Sequence, residues 1–262
     1  MNIATLLNSE PVEALCRLYA AEYPGRLGEA RMPHVPLMLN ALGACAGFAA
    51  QVAVWRELIL PQGRDPGEFL LYATTKSNET FVLGEAINLF LVVAMTDRLS
   101  FVSLAAANLA SPSELPDIGE LARHVVGTLG DARFGHPRLP ASIDLPELPR
   151  TGLAKTWANV ALILEDRRAA EWPAFLGAAA LHIARASKAS LPPPLAVKVL
   201  LESAMPMSKL DPRMVEDAGF TVPPFGRWSQ RALKPDQQPA ITAEVRAVMP
   251  VQDPMPAAQP VN

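Results

Sequence analysis

Apolar residues recur with a helical period along most of the first 222 residues. Val12, Leu15 and Tyr19 lie three or four positions apart, and this spacing predicts an amphipathic helix over about residues 10–23. The same pattern, bounded by prolines, glycines and capping residues, predicts further helices. They cover about residues 37–60, 85–95, 100–109, 117–129, 152–168, 173–188 and 194–204, with a short helix after Asp211.

One segment departs from the helical pattern. Residues 68–75 and 80–83 are rich in aromatic and β-branched side chains, and they flank the polar tetrapeptide Lys76-Ser77-Asn78-Glu79. This arrangement is typical of two strands joined by a tight turn, so it predicts a β-hairpin over about residues 68–83. A lone hairpin is marginally stable in water, and we therefore expect it to pack against helices or against a neighbouring subunit.

Proline is concentrated in two other segments. Four prolines lie between residues 133 and 150, and eight lie between residues 223 and 262. Proline removes backbone donors and favours extended geometry in the residue before it. The first segment is predicted to be a stiff connector or an arm that lies over the surface, and the second to be a flexible tail.

These elements predict a mainly α protein. The expected architecture is one multi-helical globular domain over residues 1–222, with one β-hairpin, a Pro-rich arm over residues 133–150 and a Pro-rich tail over residues 223–262. Half of the residues are apolar, which is enough to build a sizeable core and excludes a wholly disordered chain.

Charge argues against polyanionic partners. Lys and Arg number 23 against 26 Asp and Glu, which gives a net charge of −3 and no overall attraction for nucleic acid. Arginine greatly outnumbers lysine, a bias typical of GC-rich bacterial genomes.

Two observations favour a cytoplasmic protein without a membrane span. Residues 36–55 carry no formal charge, but Asn40 and Gln51 and many small side chains make them a poor span, and a buried core helix is favoured. The N-terminus lacks the basic head and apolar stretch of an export signal. Cys16 and Cys45 show no CxxC spacing, so two free thiols are expected rather than a disulfide.

Motifs for cofactors, metals and nucleophiles are absent. The chain contains no GxGxxG, GxxxxGK[ST], GxSxG or HExxH, and no two of its four histidines share a helical turn, so neither a cofactor nor a metal is predicted. Glu120 and His124 are the candidate catalytic residues, because an i,i+4 carboxylate can orient an imidazole base. The alternative is a surface ion pair of small energetic effect.

A second candidate site follows the hairpin. Lys76 and Asn78 lie in its turn, while Glu85 and Asn88 lie in the first turn of the next helix, and together they are candidate ligand-binding residues. The alternative is local, because turn residues are polar for backbone reasons and Glu near a helix N-terminus complements the helix dipole.

Two glycines suggest close helix contact. Gly43 and Gly47 form a small-residue strip on one helix face, and they are the candidate interface residues. A close helix pair inside one chain would use the same strip. The sequence thus favours a non-catalytic assembly protein that binds itself or another protein. The alternative is a small-ligand-binding protein or enzyme with its pocket between the hairpin and the helices.

Overall fold

The computed structural model describes residues 3–25, 33–93, 99–105 and 109–215, and the tail predicted at residues 223–262 lies outside them. This part of the chain is mainly α-helical with a two-stranded antiparallel hairpin, so the predicted fold class is confirmed. The elements are α1 (Ile3–Leu7), α2 (Glu10–Glu22), α3 (Val35–Ala53), β1 (Leu71–Thr74), β2 (Thr80–Leu83), α4 (Glu85–Leu91), α5 (Phe101–Ala105), α6 (Ile118–Gly127), α7 (Pro149–Ile163), α8 (Trp172–Ala186) and α9 (Pro193–Met207).

Helix α3 is the centre of the fold. It packs mainly against α9, α8 and α7, and nearly all of its residues are buried. It is apolar on every side, as a helix surrounded by other helices must be. The chain continues without a break into a π-helical stretch, Val54–Ile59, and a 3₁₀ turn, Leu60–Gln62.

Length and composition make this same stretch a candidate membrane span. Among the described residues, Val35–Gln62 is the one helix of sufficient length and hydropathy, and its most apolar window is entirely buried inside the protein. The central helix of a packed core meets the same criteria as a membrane span.

The glycine strip of α3 is covered by α9 of the same chain. A Cβ atom added to Gly43 would lie 2.5 Å from the carbonyl oxygen of Leu200, and one added to Gly47 would lie 1.9 Å from that of Ala204. Both distances are far below a van der Waals contact, so only glycine permits this approach of the two backbones. The prediction of an interface between chains at Gly43 and Gly47 is therefore corrected to a helix contact within the chain.

Helix α7 differs from the prediction at both ends. It begins three residues early because Leu148 is extended (φ −73°, ψ 155°) and Pro149 occupies the first helical position, where a missing N–H is harmless. It ends at Ile163, before the charged residues 165–168 that the periodic pattern had included.

The hairpin lies where the sequence predicts it. Residues pair in register from Leu71 with Leu83 to Thr74 with Thr80, and Asn78 adopts a left-handed conformation (φ 64°) in the turn. Asparagine tolerates this conformation better than most residues. The free edge of β2 is covered by the chain after α9, since the Val82 N–H donates to the carbonyl of Lys209 at 2.8 Å.

The Pro-rich connector between α6 and α7 lies against the protein. Its apolar side chains Phe134, Leu139, Ile143 and Leu145 pack on the core. Arg138 binds the carboxylate of Glu202, a buried residue of α9, at 3.0 Å. Residues before and after the connector share one hydrophobic core.

Candidate functional site

A cleft of about 720 Å³ opens beside the hairpin. One wall is the turn and first residues of β2, and a second is the loop of residues 131–136. The start of α7 and the segment of residues 207–214 complete it. Four segments that are far apart in sequence thus converge on one concave surface, which is large enough for a small molecule.

The floor of the cleft is apolar. Phe81 of β2 and Phe134 of the connector meet edge to face, with ring centroids 4.8 Å apart. Edge-to-face packing is a preferred arrangement for two aromatic rings. Met207 and Leu210 continue this floor, and the more exposed Leu148 and Met214 also line the cleft.

Two similar turns place charged groups at the cleft. In residues 131–133 and again in residues 211–213, an Asp accepts the backbone N–H of the Arg two residues later and also binds its guanidinium. The hydrogen bonds from Arg133 lower the pKa of Asp131 to about 2. Asp131 and Asp211 line the cleft as neutralised pairs rather than as free carboxylates.

Six further polar side chains line the cleft: Thr74, Asn78, Glu79, Thr80, His136 and Arg150. Arg150, at the start of α7, is exposed and makes no ion pair or hydrogen bond through its side chain with any residue the structure describes. Glu79, in the hairpin turn, accepts a hydrogen bond from the Ser77 hydroxyl at 3.3 Å. His136 lies in the connector loop. The cleft therefore combines an apolar floor with one free guanidinium and one carboxylate.

The structure separates the four predicted ligand-binding residues. Asn78 lines the cleft, but Lys76, Glu85 and Asn88 do not. Strand β2 runs between the turn and the start of α4, and four residues of strand span roughly 13 Å. The expectation of one polar group from turn and helix start is thus corrected, because the two lie at opposite ends of β2.

The predicted partner His124 acts on Glu120 through a Coulombic interaction, and the closest partner of Glu120 is a different residue. The carboxylate of Glu120 binds the guanidinium of Arg138 through two hydrogen bonds of 2.6 and 3.0 Å, which lower its pKa. No hydrogen bond or ion pair joins Glu120 to His124 in the described part of the chain. Arg138 also holds Glu202, so Glu120 belongs to a clamp that fixes the connector between α6 and α9.

Sequence reasoning missed most of the cleft because its residues share no periodic element. The sequence predicts the loop of residues 131–136 as a connection, and within residues 207–214 it predicts only the short helix after Asp211. The repeated Asp-x-Arg spacing at Asp131 and Asp211 was the available signal, since a short Asp turn with a bound arginine marks an ordered loop.

Neither cysteine lines the cleft. The described residues contain no cluster of three His, Cys, Asp or Glu side chains that would hold a metal ion. Both cysteines are free, as predicted. Burial raises the pKa of Cys45 to about 11, which leaves it protonated and unreactive at neutral pH.

Comparison with known proteins returns no relative. No family model, no curated protein and no solved structure matches the chain. The function must therefore be argued from the geometry of the cleft.

Proposed function

We propose that this protein binds a small organic molecule in the cleft beside the hairpin. The observation that carries the proposal is the convergence of four segments on a concave surface of about 720 Å³, in which polar and charged side chains surround an apolar floor. Small-molecule sites commonly have this size, and they combine apolar surface with polar groups that orient the ligand.

The features that favoured an assembly protein have partners within the chain. The glycine strip packs against α9, the hairpin edge is covered by the segment after α9, and the connector lies on the core. None of the three needs a second subunit. The cleft, by contrast, has no occupant among the described residues.

The binding test uses the neutral dye N-phenyl-1-naphthylamine, which fluoresces strongly when an apolar site shields it from water. Ala132 is exposed and lines the cleft, so Ala132→Trp should fill part of it without disturbing the core. We expect this variant to weaken dye binding about tenfold, which corresponds to about 1.4 kcal/mol.

Ala158→Trp is the matched control, because Ala158 is equally classed as exposed but lies on α7 away from the cleft. It should bind the dye as the wild type does. Equal dye affinity for wild type and Ala132→Trp would show that the cleft is not the binding site.

A second candidate function is assembly through the rim of the cleft. Leu148 is 38% exposed and Met214 is 59% exposed, and both are large apolar side chains beside the same opening. Burial of these two side chains against a second protein would remove their apolar surface from water. A homo-oligomer or a complex with another protein would cover them.

Native mass spectrometry of the purified protein tests this second candidate. If the protein self-associates through the rim, the observed masses should be multiples of 28.1 kDa. The Met214→Asp variant should then have the mass of a single chain. A single chain at every concentration would contradict homo-oligomer formation. A retained extra mass would support the small-molecule function and supply the ligand for identification.

A further inference from the structure

The charges around the cleft are unevenly compensated. Asp131 is neutralised by Arg133 and Asp211 by Arg213, so neither acid repels an incoming anion strongly. Arg150 is the cationic side chain of the cleft whose charge has no partner in the part of the chain that the structure describes.

The position of Arg150 suits an acidic group. An arginine guanidinium presents a planar fork that binds carboxylate, sulfonate or phosphate oxygens through two parallel hydrogen bonds. Leu148, two residues earlier, is a large apolar side chain on the same lining, and Phe81, Phe134 and Met207 form the floor. A ligand with one acidic end and one apolar end would satisfy both features.

The carboxylate of Glu79 determines how such a ligand would be oriented in the cleft. Glu79 lies in the hairpin turn, whereas Arg150 lies at the start of α7, and the two side chains make no ion pair with each other. An acidic group is repelled at the turn and attracted at α7. His136, in the connector loop, also lines the cleft.

We propose that the ligand of the cleft is an organic anion, whose acidic group binds Arg150 and whose apolar body lies on the floor formed by Phe81, Phe134 and Met207. This proposal rests on the proposed function and specifies the chemical class of ligand. It makes Arg150 the residue that selects an anion over a neutral molecule of the same shape.

Two dyes of matched shape test the proposal. N-phenyl-1-naphthylamine is neutral, and 1-anilinonaphthalene-8-sulfonate adds one sulfonate to the same aromatic body. We expect the wild type to bind the sulfonate about fivefold more tightly than the neutral dye, a gain typical of a charge pair in a partly exposed site.

The variant Arg150→Gln separates charge from shape. It should lower the affinity for the sulfonate about fivefold and change the affinity for the neutral dye less than twofold. Arg185→Gln is the matched control, since Arg185 is exposed on α8 and does not line the cleft. Glu79→Gln should act in the opposite direction and strengthen sulfonate binding.

The outcomes distinguish the two proposals. Equal affinity for both dyes in the wild type, or an equal loss of both in Arg150→Gln, would overturn the anion proposal while the cleft remains a binding site. If Ala132→Trp affects neither dye, the cleft does not bind them and the proposed function itself fails.

Discussion

Lys209 is the most unusual single residue in the described structure. It is 7% exposed, and its ammonium group makes no hydrogen bond or ion pair with any residue in the described ranges. Burial lowers its pKa from 10.5 to about 8, because the charged form loses its hydration without gaining a partner. The protein therefore retains a destabilising charge within the segment that covers β2.

This burial gives the stability a pH dependence with a definite sign. Between about pH 8 and pH 10.5 the unfolded chain keeps the proton of Lys209 while the folded chain releases it. Stability rises with pH wherever the unfolded state binds more protons, so the contribution of Lys209 becomes less unfavourable across this window.

Lys209→Met should consequently stabilise the protein by about 1–3 kcal/mol at pH 7. The difference between variant and wild type should shrink as the pH approaches 10, because both then bury an uncharged side chain. Urea unfolding at pH 7, 8, 9 and 10 measures this difference, in which the titrations of tyrosine and cysteine cancel.

Lys188→Met provides the control, since Lys188 is exposed. Its free energy of unfolding should stay within about 0.5 kcal/mol of the wild type at each pH. If the difference in free energy of unfolding between Lys209→Met and the wild type stayed constant from pH 7 to pH 10, Lys209 would not be titrating in this window.

At the level of elements, the contact between α3 and α9 depends on the absence of two side chains. The backbone of α9 approaches so closely that a single methyl group on Gly47 would overlap the carbonyl of Ala204. Interiors are packed too densely to absorb such an overlap locally, so the helices must separate.

Gly47→Ala should therefore destabilise the protein by about 2–4 kcal/mol, although alanine is the better helix former. Gly127→Ala is the matched control, because Gly127 ends α6 and a Cβ there would meet nothing within 4 Å. It should be neutral or stabilising by up to about 1 kcal/mol. Guanidinium unfolding measures the stability of both variants. Equal unfolding midpoints for Gly47→Ala and Gly127→Ala would refute the close approach of α9 to Gly47.

The hairpin illustrates which elements a single sequence predicts well. The turn residues 76–79 and the flanking β-branched and aromatic residues are local signals, and the structure places the strands within them. The partner of the hairpin edge was not predictable, because Leu210 lies more than a hundred residues away. The glycine strip is also only partly predictable. Its spacing predicts a closely packed helix, but it does not say whether that helix belongs to the same chain or to another.

At the scale of the whole molecule, the candidate site was largely beyond sequence reasoning. Asn78 was the one proposed ligand-binding residue that lines the cleft, and it came from the locally readable hairpin. The connector loop and the segment after α9 contribute through tertiary packing, for which the chain offers no periodic signal. Glu120 was singled out for its neighbour four residues on, while its actual partner, Arg138, lies eighteen residues away.

The central position of α3 also has a consequence for synthesis. This most apolar helix leaves the ribosome early, yet α7, α8 and α9, which cover it, begin only at residue 149. About 150 residues separate the end of α3 from the end of α9, and their synthesis takes roughly 8–30 s at ordinary translation rates. During that interval the nascent chain carries an apolar segment whose packing partners have not yet been made, and exposed hydrophobic surface of this kind favours aggregation.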